Sequence, residues 1–137
     1  LSMRIAVFRT AHFNAAHRLS NDHWSLEKNL EVFGICFNPR YHGHNYDLEV
    51  KLVGETDPET GFLINLTALK DIIEETILIH FDHKNLNEEV EEFKTLNPTV
   101  ENICYVIWTR LRKEIREDIE LTVRLYETPR NYAEYPA

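Results

Sequence analysis

The chain has 137 residues, enough for one domain with its own core, and its composition is globular, with 43% hydrophobic and 28% charged residues. Its formal net charge of -8 argues against a nucleic-acid or anionic-membrane binder, because phosphate neutralisation needs clustered Lys and Arg. No apolar run approaches the roughly 20 residues of a membrane-spanning helix, and no hydrophobic leader opens the chain. We therefore expect a cytoplasmic protein with a single domain over residues 1–137.

The first half of the chain predicts strands. Residues 4–17 begin with β-branched and aromatic residues, and residues 46–53 alternate between apolar and charged side chains, which is typical of a half-buried strand. Asp57–Gly61 predicts a turn, because its proline fixes φ and its glycine supplies a positive φ. We expect Phe62–Ile64 to return as a short paired strand.

The second half predicts a helical pair followed by strands. Asn65 can cap a helix that ends near Leu78, and a second helix is predicted from Thr99 to about Arg116. Residues 120–127 alternate again, and residues 131–135 predict a closing strand. Strands grouped at the two ends around a helical pair favour an α+β fold, with an antiparallel sheet covered on one face. The inward positions of the helices are Leu66, Leu69, Ile73, Ile77, Val100, Cys104, Ile107, Trp108, Leu111 and Ile115.

Two histidines form the most informative motif. His42 and His44 are spaced i, i+2 in an extended segment, so they project from the same side with Cβ atoms roughly 6.6 Å apart. His42 and His44 lie on the same side of this strand as Tyr46, which is the side that we expect to face the interior. His17 shares its parity with the apolar residues of the first strand, so pairing of the two strands would bring three imidazoles together.

Three neutral imidazoles with an open fourth position are typical of a catalytic zinc site. The alternative for each histidine is a half-buried side chain that is bonded within the fold, or a turn at His-Gly-His. The neighbouring Cys36 favours the metal site and adds a nucleophile, a proton carrier or a further ligand. Cys104 lies on the apolar stripe of the second helix and is interpreted as a core residue, and both cysteines are expected to be thiols.

Two acidic residues are further candidates. Asp82 precedes His83 and can hold its tautomer, although ordinary solvated polar residues are the simpler interpretation of that pair alone. Glu127 shares the inward parity of the last long strand, and a buried carboxylate needs a partner such as a ligand with two adjacent N–H groups. The alternative is that Glu127 has already left the strand. Glu101 is explained by its favourable position in the first turn of a helix.

Taken together, six motifs in this order resemble the 6-pyruvoyltetrahydropterin synthase family, which includes the bacterial 6-carboxytetrahydropterin synthases. The motifs are Phe13–Leu19, Phe33–Tyr46, Asn65–Lys70, Phe81–Leu86, Pro98–Asn102 and Tyr126–Thr128. The resemblance implies a tunnelling fold, with a four-stranded antiparallel sheet and two helices on one face. It also implies that the sheets of several subunits close a barrel, in a trimer or hexamer with sites at the subunit interfaces.

The resemblance also implies a reaction and the residues that perform it. The substrate would be 7,8-dihydroneopterin triphosphate, which loses triphosphate by elimination. The implied zinc ligands are His17, His42 and His44. The implied proton-transfer group is Cys36, Asp82 and His83, the latter two from a neighbouring subunit. The implied pterin-binding residues are Glu127, which clamps the pyrimidine edge, and Thr99 and Glu101, which line the pocket.

Two other functions remain open. Four residues in or beside the pocket depart from the animal-type pattern, so the pyruvoyl and carboxy products both remain open. They are Phe37, Arg40, Tyr41 and Val100. The five residues between Cys36 and His42 match the pyruvoyl-type spacing, and the 6-carboxy-5,6,7,8-tetrahydropterin synthase of queuosine biosynthesis is the alternative. A different class is a non-catalytic, zinc-stabilised oligomer that binds a pterin or purine.

Overall fold

The computed structural model describes all residues from Leu1 to Ala137. Its central element is one five-stranded sheet. Its strands are β1 (Arg4–His17), β2 (His42–Glu55), β3 (Lys84–Asn85), β4 (Glu120–Thr128) and β5 (Asn131–Tyr135), in the order β3-β1-β2-β4-β5. All neighbours are antiparallel except β3, which pairs in parallel with β1. The predicted count of four strands is therefore wrong by one, because two residues after His83 pair with the free edge of β1.

Five helices connect the strands, and two of them cover one face of the sheet. They are α1 (Leu26–Phe33), α2 (Leu66–Ile73), α3 (Ile79–Phe81), α4 (Leu86–Glu89) and α5 (Val100–Arg112), and a π-helical turn at Glu74–Leu78 joins α2 to α3. The predicted cap is confirmed, since Asn65 accepts hydrogen bonds from two backbone N–H groups of α2. Thr99 caps α5 in the same way and accepts one such hydrogen bond. None of these helices has both the length and the apolarity to cross a membrane.

The core lies between the helices and the inner face of the sheet. The alternation predicted for residues 46–53 is confirmed, because every second side chain of β2 from Tyr46 to Leu52 is almost fully buried. Leu69 and Ile73 of α2 and Ile107 and Leu111 of α5 meet this face, each at most 1% exposed. Burial of such side chains contributes about 1.5–3 kcal/mol each, so this layer holds the sheet in place behind the site.

Three predictions of local structure are wrong. Phe62–Ile64 forms no strand: the Asp57 N–H bonds the Phe62 carbonyl at 2.8 Å, and Leu63 then packs on Gly54, where a β-carbon would lie 2.8 Å from the leucine Cδ1. α5 ends at Arg112, four residues before Arg116, because the Arg112 guanidinium donates to carbonyls of the loop that follows the helix. Within α2, Leu66 is also exposed rather than inward.

A bidentate ion pair anchors the segment before α5 to the helix. Arg110 donates from Nε and Nη2 to the two carboxylate oxygens of Glu92, at 2.7 and 2.6 Å, and its guanidinium lies 5.2 Å from the Phe81 ring centre. These hydrogen bonds lower the pKa of Glu92. A lowered carboxyl pKa contributes stability that is present above the ordinary pKa and is lost as the pH falls through the folded-state value.

We expect Glu92→Gln to lower the free energy of unfolding by about 1 kcal/mol near pH 7, because a partly exposed, bidentate pair is lost. The difference from the parent chain should shrink as the pH falls below the ordinary glutamate pKa, and it should disappear once Glu92 is protonated in the folded chain. Urea unfolding at several pH values measures this. The matched control is Glu91→Gln, whose more exposed pair with Lys94 should matter little. A difference that stays constant with pH would contradict the assignment.

Candidate metal and catalytic site

Three imidazoles meet at the end of the β1–β2 ladder. The register pairs His17 with His42 and Ala15 with His44, so the predicted pairing of the two strands is confirmed. One ring nitrogen from each of His17, His42 and His44 lies within 4.8 Å of the others. The Nε2 atoms of His17 and His42 are 3.0 Å apart. The spacing of two along β2 and the pairing with β1 together create this cluster.

The protonation of His17 is set by its surroundings. Its Nδ1 donates a hydrogen bond to the Pro98 carbonyl at 2.7 Å, which leaves the Nε2 lone pair directed at the other imidazoles. Burial lowers the pKa of His17 to about 4, against the opposing effect of the Pro98 hydrogen bond. Burial and the neighbouring His44 also lower the pKa of His42. Neutral imidazoles are the form that binds a metal ion.

The donor set fits a divalent metal ion such as zinc. Three imidazole nitrogens converge, and a carbonyl holds the outer nitrogen of the most buried ring, as is usual for metal-binding histidines. The buried His44 Nε2 has no hydrogen-bond partner in the chain. A buried polar atom without a partner is unfavourable, and a metal ion would satisfy it. Imidazole also suits copper, iron and nickel, so the donor set alone does not name the metal.

Glu127 lies against the histidine cluster. It belongs to β4, so the alternative that it has left the strand is wrong. One carboxylate oxygen lies 3.1 Å from His44 Nε2, and the two side chains are only 21% and 20% exposed. This contact lacks hydrogen-bond geometry, since the same nitrogen has no hydrogen-bond partner. The inward face of β4 thus ends in a carboxylate beside the site.

Cys36 lies outside the converging set of histidines but near Glu127, the carboxylate beside them. It lies in a 3₁₀ turn, Gly34–Phe37, which is held to the end of β1 by a 2.8 Å hydrogen bond from the Leu19 N–H to the Cys36 carbonyl. Burial, and then the charge of Glu127, raise the pKa of its thiol. Cys104 is 1% exposed, and its thiol donates to the Val123 carbonyl at 3.3 Å, which confirms its place in the core.

Asp82 and His83 form a pair away from the three histidines, at the edge of β1 that is opposite to β2. The Asp82 carboxylate accepts from the Asn14 N–H at 2.9 Å and lies 3.0 Å from His83 Nδ1. The backbone N–H of His83 bonds the Asn14 carbonyl, and its φ of 60° turns the chain there. The imidazole is 82% exposed. No contact joins this dyad to the three histidines within the chain.

The segment before α5 borders the site at its backbone. Pro98 accepts the hydrogen bond from His17, and the Thr99 hydroxyl caps the helix through the Asn102 N–H at 3.1 Å. Glu101 is exposed in the first helical turn and makes no contact with the histidines. The motif Pro98–Asn102 contains Pro98, but no side-chain pattern predicts its contact with His17, because that contact is made by its backbone carbonyl. Tyr46 could have been found from the sequence. The alternation of β2 turns it inward, and a buried tyrosine hydroxyl needs a hydrogen-bond partner.

The comparisons with known proteins agree over nearly the full length of the chain. The family model described as 6-pyruvoyl tetrahydropterin synthase matches residues 6–137. The 6-pyruvoyl tetrahydrobiopterin synthase of Homo sapiens is 43% identical over 129 residues, which cover 94% of this chain and 89% of the human protein. The solved structure of Caenorhabditis elegans 6-pyruvoyl tetrahydropterin synthase is 37% identical, covers 97% of this chain and 95% of its own, and has a TM-score of 0.91.

A relative with a different name matches a shorter stretch. The putative 6-carboxy-5,6,7,8-tetrahydropterin synthase of Archaeoglobus fulgidus is 37% identical over 75 residues, which cover 55% of this chain and 59% of that protein.

Proposed function

Because the chain belongs to the 6-pyruvoyl tetrahydropterin synthase family and has its tunnelling fold, we propose that it is a zinc-dependent lyase acting on 7,8-dihydroneopterin triphosphate. The reaction breaks a carbon–oxygen bond and releases triphosphate by elimination. The observation that carries the proposal is the convergence of three buried or half-buried imidazoles beside a carboxylate and a thiol. The extent of the match to the human relative favours the pyruvoyl-type reaction over the carboxy-type.

His17, His42 and His44 would hold the metal ion. When bound, zinc would polarise the oxygens of the substrate side chain and stabilise the negative charge that develops as a proton leaves carbon. The residues themselves supply neutral nitrogens, because burial lowers the pKa of His17 and of His42. The Pro98 carbonyl fixes the ring of His17, so that its Nε2 faces the site.

Cys36 is the proposed proton acceptor. Its support is its place beside the histidines, close enough to Glu127 for that charge to raise the pKa of the thiol. A cation in the site acts in the opposite direction and favours the thiolate, which is the form that takes a proton. Three imidazoles leave an open position for substrate oxygen, so the thiol has no need to serve as a ligand.

Asp82 and His83 are the proposed second proton-transfer group. Asp82 lies at hydrogen-bond distance from Nδ1 of His83, which favours the tautomer with a free lone pair on Nε2. The exposed imidazole on the edge of β1 supports action in the site of a neighbouring subunit, and therefore a homo-oligomer, a trimer or hexamer. The free thiols fit the cytoplasm as the compartment.

Glu127, Thr99 and Glu101 are the proposed pterin-binding residues. Glu127 ends the inward face of β4, where its carboxylate can accept two adjacent N–H groups of the pyrimidine edge. The Pro98–Thr99 segment borders the site through the hydrogen bond to His17. Glu101 follows in the first turn of α5 and would line the outer part of the pocket.

Mass analysis of the pterin product tests the proposal directly. Zinc-loaded protein is incubated with 7,8-dihydroneopterin triphosphate, and the expected product carries a pyruvoyl side chain, with one triphosphate released for each pterin. A carboxy side chain would assign the alternative reaction. Unchanged substrate that nevertheless binds would assign the non-catalytic pterin-binding class. Protein treated with a chelator is the control and should be inactive until zinc is restored.

A further inference from the structure

The hydroxyl of Tyr46 has no hydrogen-bond partner, although the residue is 0% exposed. Buried tyrosine hydroxyls are normally hydrogen-bonded, and an unpaired one is unfavourable. The ring itself is well packed, since it stacks on Phe13 with the ring centres 4.9 Å apart. A phenylalanine would make the same stack, so packing gives no reason for the hydroxyl.

The geometry of the sheet identifies the acceptor. β2 and β4 pair Asp47 with Tyr126, and one more step of this antiparallel register places Glu127 opposite Tyr46. Side chains opposite each other on one face have Cβ atoms about 5 Å apart. A tyrosine hydroxyl is ordinarily protonated near neutral pH and can donate a hydrogen bond to the Glu127 carboxylate. The hydroxyl is closed to solvent, so its acceptor must be a group already packed beside it.

Glu127 itself is poorly held by the other side chains of the chain. Its contact is with His44 Nε2, at 3.1 Å and without hydrogen-bond geometry. His17, His42 and His44 would hold the metal ion, and His44 Nε2 would then no longer be available for the contact with the Glu127 carboxylate. We infer that Tyr46 is a positioning residue that donates a hydrogen bond to the Glu127 carboxylate in the metal-loaded protein, holding that carboxylate in a fixed orientation for the ligand.

Glu127 is a better acceptor than Cys36, the other group close to the hydroxyl. A carboxylate forms charge-assisted hydrogen bonds that are about twice as strong as neutral ones, whereas a protonated thiol is a weak acceptor. Glu127 also lies directly opposite Tyr46 in the strand register, whereas Cys36 lies outside the sheet, in the turn Gly34–Phe37. The inference rests on the metal site of the proposed function but requires no turnover.

Thermal unfolding with and without zinc tests the inference on the full chain. In metal-free protein, we expect Tyr46→Phe to melt at the same temperature as the parent chain or higher, because an unpaired hydroxyl is removed. At a fixed excess of zinc, its zinc-induced rise in Tm should be smaller than the parent's by about 3–5 °C, because the hydrogen bond made only in the loaded state is lost. In a Glu127→Ala background, Tyr46→Phe should leave the zinc-induced rise unchanged.

Tyr105→Phe is the matched control, since Tyr105 is exposed and packs against Tyr135, away from the histidines. An unreduced zinc-induced rise in Tyr46→Phe would overturn the inference, and so would an effect that persists without Glu127. The rate of Cys36 alkylation by iodoacetamide should be the same in both tyrosine variants, and a change in Tyr46→Phe alone would assign the hydroxyl to the thiol instead. The unfolding experiments use zinc and no pterin. Their outcome is therefore independent of whether the protein turns over 7,8-dihydroneopterin triphosphate.

Discussion

Replacing Cys36 with alanine is expected to lower turnover of 7,8-dihydroneopterin triphosphate by about 10²- to 10⁴-fold, the usual contribution of a positioned acid or base. Zinc content should stay at one ion per chain, because the converging nitrogens come from His17, His42 and His44 alone. The substitution is structurally mild, since Cys36 is only half-buried and the hydrogen bond that holds its turn uses the backbone carbonyl. Steady-state kinetics and elemental analysis of the same sample measure both quantities.

The second cysteine supplies the control for this experiment. Cys104→Ala removes a buried thiol from the core and should lower the free energy of unfolding by about 1 kcal/mol while turnover persists. The two variants therefore separate loss of a thiol at the site from loss of packing. Full turnover in Cys36→Ala would remove Cys36 from the mechanism, and loss of zinc in that variant would make it a ligand instead.

The sequence predicted the histidine cluster because two simple periodicities combine there. The spacing of two places His42 and His44 on the inward face of β2, and the same parity places His17 inward on β1. The alternation of apolar and charged residues then fixes which face is inward. Pairing of β1 with β2 was the one long-range assumption, and the structure confirms it.

Hydrophobic periodicity failed to predict a helix that side-chain hydrogen bonds hold in place. α1 was not predicted, although Leu26, Leu30 and Phe33 have helical spacing. In the structure Leu26 and Leu30 are exposed, and the buried residue of the helix is Asn29. That amide accepts from the Asn21 N–H at 2.7 Å and donates to the Asn21 carbonyl at 3.0 Å. An element fixed by a side-chain amide does not depend on burial of its apolar residues, so hydrophobic periodicity does not reveal what holds it in place.

Sequence adjacency predicted the Asp82–His83 pair but not its location. The dyad is fixed by backbone bonds to Asn14 on the free edge of β1, which depend on how the chain leaves α3. The short strand β3 follows from the same turn, and its two residues carry too little pattern to be predicted. Contacts formed by the backbone at a sheet edge have no side-chain signature, so they become visible only in the folded chain.

Replacing His42 with alanine is expected to bring zinc content well below one ion per chain. Loss of an outer-shell partner of a metal ligand already weakens binding by about 10- to 100-fold, and loss of a ligand should have a larger effect. His42 suits this test better than His17, because His42 is half-buried whereas His17 is 1% exposed and hydrogen-bonded to Pro98. The metal-free variant should therefore fold, with a Tm close to that of the metal-free parent.

His12→Ala is the matched control, since His12 lies on β1 with its side chain exposed, 3.7 Å from Asp47. It should retain zinc. Unchanged zinc in His42→Ala has one specific structural explanation, which is that Glu127, 3.1 Å from His44 Nε2, takes the vacant ligand position. The double variant His42→Ala/Glu127→Gln decides this point. If the double variant loses zinc, Glu127 substitutes for the histidine; if zinc remains, the three histidines are not the metal site and the proposed chemistry fails with them.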